Sequence, residues 1–408
     1  PDVTFEFVTL TADQEERSNR IDQLQTEMMA GQGPDIFILP CDDGFGFNET
    51  RLIENVEKGM VTGLFADLSQ LYDQDETLEK DLLLEKVMDA GMMDGKRYIL
   101  PLRYQYPIIL ALEDELQGAG LELSELAQNS ETFLSTVIAQ EGNAWHVSGA
   151  NVFAANLSNV FSSLCDYNTG EVYLDEETLT DTLSQYMELL STLDQESIEA
   201  DGVVWPYYLS PDRPLDTLFL SDDLFMYLDV AYAQYQELVA APFAAQGGSI
   251  VANVSYYGAV SANCAAVEEA YEFLKLLLSR EVQSGGALEY NGASYDASEW
   301  GTAHGWPVRS DITAAELRAA VPQTPLAHGM VEDLQQPVEG EPAPMLPEEF
   351  FTEAYERIVE VRPYTLLDGS FSRAAMSLYD FATFTPNTEQ MDEVAEELLR
   401  QLETEVAE

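Results

Sequence analysis

Leu24 to Asp43 reads LQTEMMAGQGPDIFILPCDD, and the reading of this stretch decides the fold. Ile21, Leu24 and Met28 stand three and seven residues apart, the spacing of one helical face. Gly31 is the residue type that closes a helix in a left-handed conformation, and Gly33-Pro34 bars continuation. Ile36 to Leu39 is a short unbroken apolar run, which predicts a strand buried on both faces of a parallel sheet. A polar loop follows, Cys41-Asp42-Asp43-Gly44-Phe45-Gly46. Helix, tight turn, buried strand and loop make an α/β unit. Open α/β sheets bind ligands beyond the carboxyl ends of their strands, so the loop with Asp42 and Asp43 is the first candidate binding surface.

The 408 residues suffice for two domains with sizeable cores, and an apolar fraction of 46% is that of a globular chain. There are 74 acidic and 18 basic residues, for a formal net charge of −56, and the lysines are Lys58, Lys80, Lys86, Lys96 and Lys275. Such a field repels nucleic acid and anionic membrane surfaces, which excludes both as partners. The acids are spread along the chain, as on a solvated surface; a cation-binding role is the sharper alternative. Cys41, Cys165 and Cys264 have no CxxC spacing, and His146, His304 and His328 are scattered. Neither a disulfide scaffold nor a metal centre is expected, and no cofactor is implied. No apolar run reaches the ~18 residues of a membrane span, and no signal peptide opens the chain.

Outward from the opening unit, Val3–Leu10 reads as a strand and 13–30 as the helix entering it. Gly63–Asp73, GLFADLSQLYD, fits a short surface helix. Asp94-Gly95 is a turn leading into a strand that stops at Pro101. Leu123–Gln140 and Phe153–Leu164 read as helices, with Trp145 and His146 in the polar loop Gly142–Gly149. Asp166–Leu174 is a hairpin turned at Asn168-Thr169-Gly170; its acids tempt a calcium reading, but Glu171 stands where a calcium loop needs glycine. Leu179, Leu183, Tyr186 and Leu190 mark one helix face. Val267, Ala270, Tyr271, Leu274, Leu277 and Leu278 mark a second, and Met391, Val394, Leu398 and Leu402 a terminal one. Gln246–Ser249 reads as a flexible loop and Glu339–Pro347 as a proline-rich one, and no internal repeat is present.

Four blocks, in order, resemble the extracellular solute-binding proteins of ABC importers, in the branch that includes maltose- and oligosaccharide-binding proteins. They are the opening Met-Ala-Gly-Gln-Gly-Pro-Asp-Ile segment, Asp94-Gly95-Lys96-Arg97-Tyr98 before Pro101, Tyr257-Gly258-Ala259-Val260 with its following helix, and Pro307-Val308-Arg309. The chain departs from the family at Ala111-Leu112, where a Tyr-Asn pair is usual, and at Val230-Ala231, where Gly-Pro is usual. The resemblance implies an α/β, two-lobed, type II periplasmic-binding-protein fold with three inter-lobe crossings, near residues 107, 257 and 306. It places 1–107 with 257–305 in the first lobe and 108–256 with 306–408 in the second. Because Pro1-Asp2-Val3 resembles the family's second strand, it also implies a leader, a lipid-anchor cysteine and a first strand upstream, hence an extracellular, membrane-anchored protein.

The implied function is to bind a mono- or oligosaccharide in the cleft as a monomer and deliver it to the importer's membrane subunits, without catalysis. The candidate lining comes from loops at strand ends: Asp42, Asp43, Arg103, Tyr104, Trp145, Trp205, Tyr207, Tyr208, Asp229, Tyr232 and Tyr256. Rings stack on the apolar face of a pyranose, and carboxylates accept from its hydroxyls. Tyr232 stands where the family carries its cleft-lining ring, counted from Met226. The same rings and acids would suit a polyamine or peptide through cation–π contacts and ion pairs. A glycoside hydrolase needs two carboxylates at a set separation, but 74 acids supply such pairs by chance. Nucleophile-elbow, zinc-protease and phosphate-loop signatures are absent from the sequence.

Overall fold

The computed structural model describes residues 6–8, 10, 14–41, 51–139, 147–148, 157–161, 164–192, 215–219, 238–290, 293–296, 305–320, 348–363, 366–380 and 385–407. Expectations for 42–50, Trp145, 153–156, 201–214, 220–237 and Glu339–Pro347 lie outside these residues.

The helix Gln14–Met29 ends as its sequence predicts. Gly31 adopts φ +71°, its N–H donates to Met28 O at 2.9 Å, and Gln32 N–H donates to Glu27 O at 2.8 Å. This double closure satisfies carbonyls that a helix end leaves open. Ile21 and Leu24 turn into the core.

In chain order the strands are β1 (Ile36–Pro40), β2 (Met92–Met93), β3 (Lys96–Arg97), β4 (Ile99–Gln105), β5 (Pro107–Leu112), β6 (Val147–Ser148), β7 (Cys165–Asp166) and β8 (Glu171–Val172). They continue with β9 (Leu215–Phe219), β10 (Leu238–Pro242), β11 (Ile250–Val260), β12 (Ala287–Tyr290), β13 (Ala293–Asp296), β14 (Trp306–Pro307) and β15 (Ile358–Pro363). The first sheet runs β1-β11-β4-β14, and β15 lies beside β11 along its first half. The second sheet runs β10-β5-β9-β6.

Among the described residues the chain passes between the sheets three times. It leaves the first at Tyr106, between β4 and β5, and returns between β10 and β11. After β15 it leaves again for the helices Leu366–Ser377 and Met391–Ala407, whose Phe371 and Leu398 pack with the second sheet. Residue 257 lies within β11, and 306 opens β14.

Packing follows the alternation of strands. On β5, Ile108, Leu110 and Leu112 join a core with Leu102, Tyr104, Leu274 and Trp306. Ile109 and Ala111, on the opposite face, join a core with Phe133, Leu183, Tyr186 and Leu398. A third core, of Ile21, Phe37, Met60, Ile99 and Tyr257, covers the other face of the first sheet. The helix faces marked by Leu179, Leu183 and Tyr186, by Ala270, Tyr271 and Leu274, and by Met391, Leu398 and Leu402 are all buried, as their periodicity predicts.

Several expectations are corrected. β1 is antiparallel to β11 and only Phe37 is buried in it; it stands at the end of the strand order, so neither the burial on both faces nor the parallel direction expected from its apolar run holds. Glu6–Val8 and Leu10 form no strand: Phe7 and Val8 are exposed, and Leu10 is half-buried against the core around Phe37. The helix within Gly63–Asp73 begins only at Ser69; it lies at the surface as expected, with Gln70, Asp73 and Gln74 exposed and Tyr72 turned into the core. The strand expected to stop at Pro101 continues to Gln105; Pro101 faces Tyr257 beside a register shift in β11, where a missing N–H is tolerated. Leu123–Gln140 splits into Leu123–Leu126 and Ser130–Ile138, because Asn129 caps the second helix by accepting from Glu131 N. Within Gly142–Gly149, Val147–Ser148 pairs with β9. Gln246–Ser249 is a tight turn, with Gly247 at φ +77° and Gly248 at φ +86°, Gly248 N donating to Ala245 O at 3.0 Å and Gln246 Nε2 to Thr182 Oγ1 at 3.1 Å.

Candidate functional site

The first sheet ends, toward the second, at the carboxyl ends of β1 and β4 and the start of β14. The register sets Pro40, Tyr256, Arg103 and Pro307 in one row across β1, β11, β4 and β14. Cys41 N donates to Ser255 O at 2.8 Å, so the chain that continues into Asp42 and Asp43 leaves from this row. Gly305 is required here. Its φ is +109°, and a Cβ would stand 2.5 Å from Tyr104 O and 2.8 Å from Ser255 Oγ.

Three of the eleven candidates fall among the described residues, and they lie within strands rather than in the loops expected: Tyr256 and Arg103 pair in this row, and Tyr104, next along β4, pairs with Val254 and Trp306. Tyr256 is half-buried and borders the core around Tyr104. Arg103 is fully buried and donates through Nη2 to Gln283 O at 3.1 Å; burial pushes its pKa down to about 9. Gln283 Nε2 in turn donates to Leu102 O at 3.1 Å and its Oε1 accepts from Val308 N at 2.9 Å, which ties β4 to β14. Tyr104 is buried beside Tyr106, ring centroids 6.2 Å apart, and Tyr106 stacks on Trp306 at 6.0 Å. Burial raises the pKa of both tyrosines, so each stays protonated. These rings pave the junction where β4 becomes β5. Asp42, Asp43, Trp145, Trp205, Tyr207, Tyr208, Asp229 and Tyr232 lie outside the described residues.

Sequence reasoning missed a second row at the same junction. Arg362, Asn253 and Gln105 pair across β15, β11 and β4, and all three are buried. Arg362 Nη2 donates to Ser158 O at 3.0 Å, a contact from the first sheet to a segment packed on the second. Arg362 also lowers the pKa of nearby Glu360, although burial is the larger effect and leaves it raised. No local spacing could have paired residues so far apart in sequence. Among the described residues no group of three His, Cys, Asp or Glu could hold a metal ion.

No family model matches the chain, and no curated protein matches it. Solved structures do. The galacto-N-biose-/lacto-N-biose I-binding protein of an ABC transporter from Bifidobacterium longum, in complex with lacto-N-biose, is 14% identical at a TM-score of 0.55, over 96% of this chain and 87% of its own. An ABC transporter solute-binding protein from Agrobacterium radiobacter, in complex with ribitol, is 13% identical at a TM-score of 0.55, over 94% of this chain and 89% of its own. An ABC substrate-binding protein from Listeria monocytogenes, in complex with cycloalternan, is 13% identical at a TM-score of 0.52, over 94% and 89%. The chain therefore has the two-lobed, periplasmic-binding-protein-like fold.

Proposed function

We propose that this two-lobed chain is the extracellular solute-binding component of an ABC importer. It holds a carbohydrate, mono- or oligosaccharide, between its lobes and delivers it to membrane subunits without catalysis, working as a monomer. The observation that carries the reading is the row Pro40–Tyr256–Arg103–Pro307 at the end of the first sheet that faces the second. Sugar or polyol complexes of proteins with this fold support the ligand class. In this reading the lobes are bounded by the sheets: residues to 105 with 250–363 form one, and 107–242 with 366–407 the other. Tyr256, Asp42 and Asp43 meet the ligand from the first lobe, and Trp145, Trp205, Tyr207, Tyr208, Asp229 and Tyr232 from the second. Arg103 and Tyr104, being enclosed, hold the floor beneath them.

Lobe closure couples binding to stability, since a ligand that binds only the folded chain stabilises it by about 2.7 kcal/mol at a hundredfold excess over Kd. Thermal-shift screening against mono- and oligosaccharides, polyamines and short peptides is expected to raise Tm by several degrees with a sugar. The net charge of −56 favours cations as the second reading, and a shift confined to polyamines would replace the first with it. Turnover of a model glycoside that copurifies with the chain would overturn the binding-only role.

A further inference from the structure

A polar contact joins the lobes through elements other than the connecting strands. Asn55 precedes the helix Val56–Val61, whose Val56 and Met60 belong to the core around Phe37 and Tyr257. Its Oδ1 accepts from Lys58 N at 2.8 Å and caps that helix. Its Nδ2 is spent elsewhere, donating to Tyr167 OH at 2.7 Å and to Glu405 Oε1 at 3.0 Å. Lys58 Nζ lies 3.9 Å from the same Glu405 oxygen. Tyr167 sits in the turn between β7 and β8, and Glu405 in the helix Met391–Ala407. Their neighbours Cys165, Val172, Leu398 and Leu402 pack into the core around Phe133 and Leu183, on the second sheet. The Tyr167 ring, by contrast, packs against the core around Phe37, on the first. Asn55 is only 8% exposed, while the Glu405 side chain is 32% exposed, so the contact is buried on the Asn55 side and open to water on the other.

We propose that Asn55, Tyr167 and Glu405 form a latch that holds the lobes together and sets ligand affinity without touching the ligand. The inference rests on the reading of two lobes that open and close. A half-buried ring from one lobe packed against the other's core must withdraw on opening, and the buried amide of Asn55 then loses two partners at once. Closed-state contacts of this kind slow release more than they speed capture.

The test uses the full chain without ligand, read by small-angle scattering and amide hydrogen exchange. Asn55→Asp keeps the helix cap but removes both donors and sets a carboxylate against Glu405. Tyr167→Phe keeps the ring and removes the hydroxyl. Both are expected to enlarge the radius of gyration and to speed exchange in 56–61 and 165–172 by about tenfold, the worth of one or two net hydrogen bonds. Adding Glu405→Gln to Asn55→Asp restores a donor and an acceptor and is expected to reclose the chain. Scattering and exchange unchanged in both single variants, or a double variant as open as Asn55→Asp alone, would overturn the latch. Because no ligand enters these measurements, a chain that binds no sugar still tests the latch, and a failed latch leaves the sugar screen standing.

Discussion

The Asp75 carboxylate accepts from Thr77 Oγ1 at 2.7 Å, Thr77 N at 2.8 Å and Leu78 N at 3.0 Å through one oxygen. Through the other it accepts from Tyr271 OH at 3.1 Å and faces Lys275 Nζ at 3.0 Å. Burial alone would raise its pKa; the hydrogen bonds and Lys275 outweigh that and hold it well below the usual carboxylate range. A depressed folded pKa contributes stability above the unfolded value of about 3.9, and that stability is lost as pH falls through the folded pKa. Asp75→Asn is therefore expected to cost about 2 kcal/mol at pH 7, with the gap to wild type narrowing below about pH 4, read by urea unfolding across pH. A gap of constant size down to pH 3 would show that the charge is not responsible. Residue chemistry of this sort was partly legible. The sequence expects Arg103, Tyr104 and Tyr256 in loops at strand ends; they lie inside β4 and β11, where Arg103 pairs with Tyr256 and Tyr104 with Val254, because apolar spacing does not mark where a strand stops. Asn55, Tyr167 and Glu405 were not legible, because no local pattern links residues 112 and 350 positions apart.

At the scale of elements, β11 and the helix Val267–Leu277 touch more closely than their sequences announce. A Cβ on Gly258 would stand 2.7 Å from Leu274 Cδ2, and Leu274 is fully buried. Gly258→Ala is expected to cost about 1–3 kcal/mol by overpacking, and Leu274→Ala about 2–5 kcal/mol through its cavity. The double variant should cost less than the two added together, since the new methyl enters the vacated space. Chemical denaturation of all four chains checks this, and strict additivity would show that the contact is relieved some other way. The elements themselves were legible where composition and spacing agree. Asp94, at φ +49°, and Gly95, at φ +71°, make the two-residue turn of the β2–β3 hairpin that their pairing predicts. Gly170 with the Asp166 carboxylate, which accepts from Asn168 N at 2.7 Å, makes the β7–β8 turn. Strand direction was not legible, because side-chain alternation is the same for parallel and antiparallel neighbours. Nor was the continuation through Pro101, which depends on a register shift in its partner strand.

Across the whole molecule, a net charge of −56 on 408 residues opposes compaction at low ionic strength. Screening shortens from about 30 Å at 0.01 M salt to about 3 Å at 1 M. Sodium chloride is thus expected to raise Tm steadily over that range, by calorimetry, and a flat or falling profile would mean that the acids are compensated locally. No helix among the described residues is long and apolar enough to cross a membrane. The first sheet also fixes when the chain can close. It draws together segments that begin at Ile36 and end at Pro363, with β15 seated on the opening half of β11. Non-local pairing of this span is slow to form. A nascent chain that has not yet delivered Ile358–Pro363 lacks the strand that pairs with the first half of β11, and two of the helices that cover the second sheet, Leu366–Ser377 and Met391–Ala407, come later still. The sheet that carries the candidate row therefore closes only when nearly the whole chain has been made.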